Sequence, residues 1–566
     1  MFHVIHGRIT ALRTACVIAA IVIAGFAANA PAYAAPDSQP SHATGVVFLD
    51  RNEDGDRQEG EPGIHAVLVS DGRNVVKTDR QGRWRLPAAD DTHFFVIKPT
   101  GYQVPLNGLH MPRFSYAHKP NGSPDDGFVF KGFEPTGPLP DSIDFPLTFQ
   151  QESDEFTIIA FGDPQPYSLE QIQHFRRDVI DPTLGRHDIA FGISLGDLVG
   201  DDLDLFKPLN EAQSLLGVPW YNVYGNHDMN FMSGRRGRTT DDPDRYADET
   251  FERVYGPPDY AFQYGDIHFI VLDVVIWQGF DGFREGNNPV WPDGREPKTG
   301  NYRGGLREHQ LEFVENYLAH VPEDELVVLA FHIPIEMDGE GVHRIPEHRR
   351  LFEILSSHPH TFSMSGHTHF QRHWLFGEES GYTPEGENQH TTGTAGKTVH
   401  HHLNAVTASG SWYNGMRDEL GVPHTQMRDG TPNGYTLVHF NENTYRTEFV
   451  PARRHPDDQM TIAVGDAAGS KLADIEQGDE AGVIVNVYNG SPADPVEMRV
   501  VPSPAVGSEP LEWQAMEFAP QVDPVYAATY EREQKLPGEL RSSWGLPEPQ
   551  VSHHIWEAAL PSGLPA

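Results

Sequence analysis

The chain has 566 residues, too many for one hydrophobic core, and this length predicts two to four domains. Its apolar content of 38%, with 10% aromatic residues, is sufficient for globular folding. Its formal net charge of −39 repels polyanions, which argues against extended nucleic-acid binding, although local sites can still bind anions.

The N-terminal segment, residues 1–34, has the composition of a secretory signal peptide. Two arginines precede an apolar run from 15 to 27, and an A-x-A sequence ends at Ala34, after which we expect cleavage. The run is shorter than the roughly 20 residues of a membrane span, so we expect no stable span after cleavage, with a retained anchor as the alternative. The signal peptide predicts a periplasmic or secreted location, and because the one cysteine, Cys16, lies in this segment, the cysteine-free mature chain fits a bacterial periplasm better than a disulfide-linked extracellular scaffold.

Residues 44–150 predict a β-sandwich module, because short strands such as GVVFLD and THFFVIKP are separated by Gly, Asp and Pro. The first loop of this module matches a calcium-binding consensus, with oxygen ligands at alternate positions, a turn glycine and a terminal glutamate. The predicted Ca²⁺ ligands are Asp50, Asn52, Asp54, Asp56 and Glu61. A strand precedes the loop, so it is not a true EF-hand, and a solvated acidic turn is the alternative interpretation.

Residues 153–452 follow a different pattern, in which apolar strands alternate with amphipathic helices. Strands such as TIIAFG, IAFGISLG, ELVVLAFH and TFSMSG alternate with helices such as SLEQIQHFRRDVI and REHQLEFVENYLAHV. This alternation predicts a layered α/β core whose functional groups lie at the strand ends. After residue 373 the sequence again favours β-strands, and residues 453–566 predict a β-rich C-terminal domain.

Five short polar motifs stand where core strands are predicted to end. They are Gly162-Asp163-Pro164-Gln165, Gly196-Asp197, Gly225-Asn226-His227-Asp228, His332 within AFHIP, and Gly366-His367-Thr368-His369. Each motif is weak alone, since an aspartate after a strand usually caps a helix and a buried histidine usually packs in a core. Together they supply three carboxylates, two amides and four imidazoles from separate strand ends, which predicts a two-metal site.

The order D-x-Q, GD, GNHD, H and GHTH resembles that of the calcineurin-like metallophosphoesterase superfamily. The resemblance is strong over residues 156–373, and the leading β-module with the later SGSW and DGTPNGY sequences is similar to the secreted subgroup that has additional N-terminal and C-terminal domains. It implies that residues 153–452 are a phosphoesterase catalytic domain, built as a β-sandwich flanked by helices. It also implies metal-dependent hydrolysis of phosphomonoesters or phosphodiesters.

The resemblance further implies the ligands of two divalent metal ions. The expected ligands of the first ion are Asp163, Gln165, Asp197 and His369. The expected ligands of the second ion are Asp197, Asn226, His332 and His367. A carboxylate shared by two cations holds them close together, where a metal-bridging hydroxide can be directed at phosphorus.

Within the GNHD motif, His227 and Asp228 are the predicted catalytic residues. We expect His227 to supply a proton to the leaving oxygen and the adjacent Asp228 to fix the tautomer of the imidazole. The alternative for Asp228 is a structural role, in which it caps the segment that follows.

Gln165 departs from the pattern of many relatives, which have histidine in that position. An amide oxygen is a harder ligand than imidazole, so the site favours Mn²⁺ or Mg²⁺, with Fe and Zn as the less favoured choices. In the other interpretation, Gln165 points away from the metals and forms a hydrogen bond with a neighbour. Some branches of the superfamily share D-x-Q, so the exchange does not argue against activity.

Two further groups of residues are candidates for contacts with substrate. Three arginines in the polar insertion 229–248 predict binding of a second phosphate or an acidic head group, with local pairing to nearby aspartates as the alternative. These residues are Arg235, Arg236 and Arg238. The run 400–402 of three histidines and Trp412 are candidates for the pocket rim, although consecutive histidines alternate in direction along a strand and favour packing roles.

Two functions are compatible with these observations. The first is a periplasmic metal-dependent phosphoesterase that acts on a small or lipid-linked phosphoester. The second is a calcium-stabilised, β-rich binding or adhesion protein whose central domain is a scaffold without catalysis. The intact metal and proton-donor positions favour the enzyme, and the acidic composition makes a nuclease the least attractive choice. Phosphomonoesterases, phosphodiesterases and pyrophosphatases share the same core chemistry, so these motifs do not separate them.

Overall fold

The structure is a computed structural model, and it describes residues 41–124, 128–231, 233, 242–279, 302–336, 344–383, 399–465, 482–501, 510–540 and 544–561. The signal peptide predicted over residues 1–34 and the predicted substrate-binding residues Arg235, Arg236 and Arg238 lie outside this part of the chain. Residues 42–566 form one compact unit. No helix in the described ranges is long and apolar enough to cross a membrane.

Two four-stranded sheets form the N-terminal region. Their strands are β1 (His42–Leu49), β2 (Leu68–Ser70), β3 (Val75–Lys77), β4 (Arg83–Pro87), β5 (Thr92–Ile97), β6 (Tyr102–Gln103), β7 (Ser115–His118) and β8 (Phe145–Phe149). One sheet has the order β4-β1-β8-β6 and the other has the order β3-β2-β5-β7. Trp84 of β4 packs against Phe94 of β5 across the two sheets, with ring centroids 5.8 Å apart. The predicted β-sandwich is confirmed.

Two larger sheets form the central region. Their strands, with one additional hairpin, are β9 (Glu155–Phe161), β10 (Ile189–Ser194), β11 (Trp220–Asn222), β12 (Tyr260–Tyr264), β13 (Ile267–Val271), β14 (Val275–Trp277), β15 (Tyr302–Gly304), β16 (Leu326–Ala330), β17 (Thr361–Ser365), β18 (Arg372–Phe376), β19 (His400–Asn404), β20 (Gly434–Asn441) and β21 (Thr444–Pro451). The sheet orders are β11-β10-β9-β20-β21 and β12-β13-β16-β17-β19-β18. Phe191 and Phe269 pack across these sheets with centroids 5.2 Å apart, so the sheets form a sandwich.

Short helices accompany the central sheets. They are α1 (Leu169–Phe175), α2 (Asp181–Thr183), α3 (Phe206–Gln213), α4 (Glu249–Tyr255), α5 (Glu308–Leu318) and α6 (His348–Leu355). The sequence predicts one helix over residues 168–180, whereas the structure has α1 followed by a π-helical segment, Arg176–Ile180. Ser168 caps α1 by accepting a hydrogen bond from the Gln171 amide, as its residue type predicts.

The strand directions explain where a functional site can form. Strands β9, β10 and β11 pair in parallel, and so do β13, β16 and β17. The carboxyl ends of parallel strands lie at one edge of their sheet, and the loops at that edge are free to vary. The late strand β20 pairs antiparallel with β9, so residues 434–441 belong to the same central sheet as β9 although they follow the last motif by more than sixty residues.

The C-terminal region is rich in β-structure, as predicted. Its elements are β22 (Met460–Gly465), β23 (Gly482–Val487), β24 (Glu497–Met498), β25 (Gln514–Ala515), β26 (Glu517–Phe518), β27 (Gln521–Val522), α7 (Pro524–Gln534), β28 (Val551–Ser552) and β29 (Ile555–Ala559). Its largest sheet has the order β22-β23-β29-β26. Trp556, which is 2% exposed, lies in the small apolar core of this sheet with Val483 and Val485.

A buried lysine joins the N-terminal sandwich to the central region. The ammonium group of Lys119 lies 3.0 Å from Glu249 and 2.8 Å from Glu252, and it also pairs with Asp91. The Lys119 side chain is 3% exposed, so its charge depends on these carboxylates for compensation. The three acidic residues form a compact group of potential metal ligands, but the lysine already supplies a cation among them.

Buried polar contacts also hold the C-terminal region against the core. Asp429 accepts a hydrogen bond from the backbone amide of Gln371, at 2.7 Å, and lies 3.1 Å from the ring of His554. Asn486 donates to the backbone carbonyl of Asp429 at 2.9 Å. Asp429, Asn486 and His554 are each at most 1% exposed, so these contacts fix the C-terminal region beside the strand that follows the GHTH motif.

Candidate metal centre

The five motifs lie together at the carboxyl ends of strands from both central sheets. Asp163 follows β9, Asp197 follows β10 and Asn226 follows β11, each by two to four residues. From the other sheet, His332 follows β16 and the histidines of the GHTH motif follow β17. The sequence-predicted ligands are therefore brought to one location, although they are separated by up to 206 positions in the chain.

One group of potential ligands surrounds His332. Its Nε2 atom lies 3.2 Å from Oδ1 of Asp197 and 3.1 Å from Oδ1 of Asn226. Ligand atoms of Asp197, His332 and His367 all lie within 4.8 Å of one another. The imidazole of His332 is fully buried, so these donor atoms are directed at an interior point.

A second group of potential ligands lies on the other side of Asp197. Gln165 Nε2 lies 3.4 Å from Oδ2 of Asp197, and His369 Nε2 lies 3.7 Å from Oδ1 of Asp163. All four residues are at most 2% exposed. The Oε1 atom of Gln165 is buried and has no hydrogen-bond partner, which is unusual for an amide oxygen in a protein interior.

Backbone carbonyls fix the tautomers of two of these histidines. His332 donates from Nδ1 to the carbonyl oxygen of Leu195 at 2.8 Å, and His369 donates from Nδ1 to that of Gly410 at 2.6 Å. Both rings therefore direct Nε2 toward the acidic groups, as metal-binding histidines do. Gly410 lies in the SGSW sequence, so that sequence orients the ring of His369.

The electrostatics of the centre match its use for cations. Burial, partly offset by His332, raises the pKa of Asp163 to about 7. Burial also lowers the pKa of His369 to about 3, which keeps this imidazole neutral and able to bind a metal. Burial opposes the charged form of His332, but the Asp197 carboxylate outweighs it and raises the pKa of His332 to about 9. The Asp197 carboxylate thus favours positive charge at this position, which suits a divalent cation.

The backbone at the centre is strained. Five of the seven predicted ligands have positive φ angles between 38° and 77°, in or near the left-handed region, which is costly for residues with a Cβ atom. They are Asp163, Gln165, Asp197, His367 and His369. Two of the motif glycines are required because neighbouring atoms lie too close for a side chain. A Cβ atom at Gly225 would lie 2.0 Å from the amide nitrogen of Asp197, and a Cβ atom at Gly366 would lie 2.4 Å from Oδ2 of Asp163.

The structure corrects the partner predicted for His227. The Nδ1 atom of His227 lies 2.7 Å from Oδ1 of Asp201, and this carboxylate orients the ring. The carboxylate of Asp228 is instead directed at the backbone. It accepts hydrogen bonds from the amides of Leu198, Val199 and Gly225. The contact geometry therefore favours the structural alternative for Asp228.

Sequence reasoning missed Asp201, although the GDLVGDD sequence contains it four residues after Asp197. Its φ angle of 68° turns the backbone so that the side chain reaches His227. Burial lowers the pKa of His227, but the charges of Asp201 and Asp197 outweigh this and raise it to about 10. The imidazole of His227, with its side chain 19% exposed, therefore holds a proton beside the metal ligands while remaining accessible.

The three consecutive histidines pack inside the protein. His400 and His402 point to one side of β19 and alternate with hydroxyl groups of β17, at distances of 2.7 to 3.0 Å, whereas His401 points the other way. The hydroxyl groups in this ladder belong to Thr361, Ser363 and Ser365. Asn404 continues the ladder to Thr368, between two predicted ligands. Trp412, in contrast, lies at the centre and stacks on His369 with ring centroids 4.2 Å apart.

In the predicted calcium loop, two of the predicted ligands accept hydrogen bonds from backbone amides of the loop itself. Asp50 accepts hydrogen bonds from the amides of Glu53 and Gly55, and Glu61 accepts from those of Arg51 and Gln58. Within the described ranges, the compact groups of three or more acidic or histidine ligands do not include this loop. Calcium binding by the loop therefore stays a prediction.

A comparison with solved structures matches parts of the chain at low sequence identity. One of these structures is a purple acid phosphatase from yellow lupin (Lupinus luteus) seeds, with 12% identity, 69% coverage of each chain and a TM-score of 0.34. Another is a dimetal phosphatase from Danio rerio, with 16% identity, 52% coverage of this chain, 97% of the other and a TM-score of 0.32. A third is PhoD, with 12% identity, 80% and 91% coverage and a TM-score of 0.35. A search among curated proteins found no significant match.

Family profiles match three consecutive parts of the chain. The profile for the N terminal of calcineurin-like phosphoesterase matches residues 51–132, and the profile of the calcineurin-like phosphoesterase itself matches residues 156–371. The profile for the C terminal of calcineurin-like phosphoesterase matches residues 402–566. The chain belongs to the calcineurin-like phosphoesterase family and is a metal-dependent phosphoester hydrolase.

Proposed function

We propose that this hydrolase works with two divalent cations that share Asp197. The observation that carries the proposal is the position of the Asp197 carboxylate, whose Oδ1 faces His332 while its Oδ2 faces Gln165. The ligands proposed for the first cation are Asp163, Gln165, Asp197 and His369. Those proposed for the second are Asp197, Asn226, His332 and His367.

The residues present fit such cations. The unpartnered Oε1 of Gln165 is a donor atom without a use in the protein alone. A half-turn of the amide group would exchange Oε1 with Nε2, which already lies 3.4 Å from Asp197. An amide oxygen in a set with carboxylates supports Mn²⁺ or Mg²⁺ as the preferred metals, while the imidazoles can also accept Fe or Zn.

When bound, the two cations would supply an activated water molecule and would neutralise charge on the phosphoryl oxygens. The chain itself supplies the proton for the leaving group. His227 holds this proton at Nε2, because Nδ1 donates to Asp201. Asp228 keeps the loops after β10 and β11 together through their amides and does not touch the reacting atoms.

We further propose that the enzyme acts outside the cytoplasm on a small or lipid-linked phosphoester. The N-terminal sequence supports export, and the acidic composition disfavours nucleic acid as substrate. A non-catalytic scaffold is not retained, because the family is one of hydrolases and every polar residue implied for the centre is present.

The test combines metal analysis with turnover. The purified chain should bind two equivalents of Mn²⁺ and hydrolyse at least one of a phosphomonoester, a phosphodiester and a nucleoside diphosphate. Asp197→Ala should lose both equivalents, whereas His332→Ala should lose about one. His455→Ala is the control, because its side chain is 73% exposed and should change neither quantity. A single equivalent in the unaltered chain would contradict the shared carboxylate, and no turnover of any class would contradict the proposed activity.

A further inference from the structure

Aromatic rings border the metal centre, each beside a different histidine. The centroid of Tyr167 lies 6.2 Å from that of His227, and the centroid of Tyr302 lies 6.1 Å from that of His367. Tyr167 is held in place by its backbone, which donates to Gln171 at 2.6 Å, and by Gly200, where a Cβ atom would come within 2.5 Å of its ring. Tyr167 is thus a fixed surface next to the proposed proton donor.

The C-terminal region extends this surface outward. Trp544 meets Tyr167 edge to face, with centroids 6.2 Å apart and ring planes at 64°. The indole is nevertheless 66% exposed. Two successive steps of 6.2 Å, from His227 to Tyr167 and from Tyr167 to Trp544, therefore lead from the proton donor to a large exposed ring.

The chain next to Trp544 is anchored although the indole is exposed. Leu546 is 4% exposed, and its amide donates to Glu533 at 2.6 Å. The hydroxyl group of Tyr526 donates to the carbonyl oxygen of Pro547 at 2.9 Å. The anchored chain therefore presents the indole to solvent next to Tyr167, and the position of the ring, not its exposure alone, sets it apart.

A second exposed tryptophan of the C-terminal region, Trp513, differs from Trp544 in having a cation against its ring. Trp513 is 56% exposed, but the guanidinium group of Arg499 lies 4.6 Å from its ring centroid. Within the described ranges, no cation covers the ring of Trp544 in this way. Among the residues that the structure describes, the face of Trp544 thus differs from that of Trp513 in having no cation against it.

We infer that Tyr167 and Trp544 form a subsite for a planar aromatic group on the leaving alcohol of the substrate. The inference rests on the proposed function, because His227 marks the side on which the leaving oxygen departs. A ring carried by that alcohol extends along Tyr167 and stacks on the indole. Stacking on an aromatic side chain suits aryl groups and nucleobases alike, since each has a π-face.

The experiment compares 2-phenylethyl, 2-cyclohexylethyl and ethyl phosphates, as monoesters and as methyl diesters, with the Mn²⁺-loaded full chain. The three alcohols have similar basicity, so the reacting centre is unchanged. We expect kcat/KM to be roughly 5- to 100-fold higher for phenylethyl than for ethyl, with cyclohexylethyl well below phenylethyl. Trp544→Ala should reduce the phenylethyl-to-ethyl ratio toward one, Trp544→Phe should retain most of it, and Trp513→Ala is the control and should leave it unchanged.

A binding measurement separates this inference from the proposed function. Calorimetric titration of the same proteins with 2-phenylethyl- and ethylphosphonate, which are not hydrolysed, should show the same preference and the same dependence on Trp544. Turnover without a phenylethyl preference, or with equal rates for cyclohexylethyl, would overturn the subsite while leaving the hydrolase intact. Absence of all turnover would overturn the proposed function, and equal phosphonate affinities would then overturn the subsite as well. A nucleoside 5′-phosphate in the same series distinguishes a nucleobase from an aryl group.

Discussion

Asp201 was not predicted from the sequence as a functional residue. We expect its substitution to reduce turnover more directly than substitution of Asp228, which is the neighbour of His227 in the GNHD motif. The Asp201 carboxylate lies 2.7 Å from Nδ1 of His227, and hydrogen bonds to charged groups contribute about 1.5 to 3 kcal/mol. If this contact is made in the transition state, Asp201→Ala should lower kcat roughly 10- to 150-fold. His227→Ala should lower it more, by about 10² to 10⁴, because the proton itself is lost.

The assay measures kcat for an alkyl phosphate and for a nitrophenyl phosphate, together with metal content. A nitrophenolate is a weak base that departs without a proton, so both variants should be less impaired with that substrate. Metal content should remain at the unaltered level, since neither Asp201 nor His227 is a proposed ligand. Asp201→Asn keeps an accepting oxygen without the charge and should fall between the unaltered chain and Asp201→Ala.

Asp228→Asn is the matched comparison. It places an amide where a carboxylate accepts three backbone hydrogen bonds, so it should lower the free energy of unfolding by about 1 to 3 kcal/mol and reduce metal content. If Asp228→Asn instead keeps full metal content and loses turnover as His227→Ala does, while Asp201→Ala is fully active, the assignment of the two aspartates is wrong.

Three other outcomes are expected. Gln165→Ala should lower the bound metal from two equivalents toward one, and Gln165→His should shift preference from Mn²⁺ toward Zn²⁺ in competition measured by elemental analysis; unchanged occupancy and preference would exclude Gln165 as a ligand. Burial lowers the pKa of His400 to about 3 and the pKa of His402 well below its ordinary value. Between pH 6.5 and 3 the unfolded chain therefore binds more protons than the folded chain, and the free energy of unfolding decreases as the pH is lowered. By urea unfolding, replacing both with Gln should reduce the loss between pH 7 and pH 5 by about 2 kcal/mol per histidine, and an identical loss would refute their burial as neutral groups. Lys119→Met should lower the free energy of unfolding by about 3 to 5 kcal/mol, against less than about 1 for Lys131→Met, whose ion pair is exposed, and equal small effects would show that the Lys119 carboxylates do not depend on its charge.

The strands, and the places of the polar residues that follow them, could be predicted because local sequence determines them. An apolar run such as TIIAF can only be a buried strand in this context, and a polar residue directly after it is placed at the sheet edge. The alternating directions of the histidines at 400–402 follow from the strand pleat in the same way, and β19 shows this alternation.

The partner of His227 could not be predicted, because it depends on how two loops meet. Asp228 is adjacent to His227 in sequence, but its side chain turns inward to three amides. Asp201 is 26 positions from His227 in sequence, and its carboxylate reaches the His227 ring because the Asp201 backbone is left-handed. The residue type does not predict this backbone conformation. Trp544 is a similar case, since its place beside Tyr167 results from the docking of the C-terminal region and has no local signature.

The left-handed backbone at five metal-centre residues has an evolutionary consequence. Each such residue costs the fold about 1 to 2 kcal/mol, and glycine would remove that cost at any of the five positions. At four of the five positions, however, glycine would also remove the side chain of a residue that is at most 2% exposed, together with its buried contacts, and this loss offsets the relief of backbone strain. A descendant that had lost catalysis would therefore gain little stability by substituting glycine at these positions, so stability alone does not drive the loss of the strained residues.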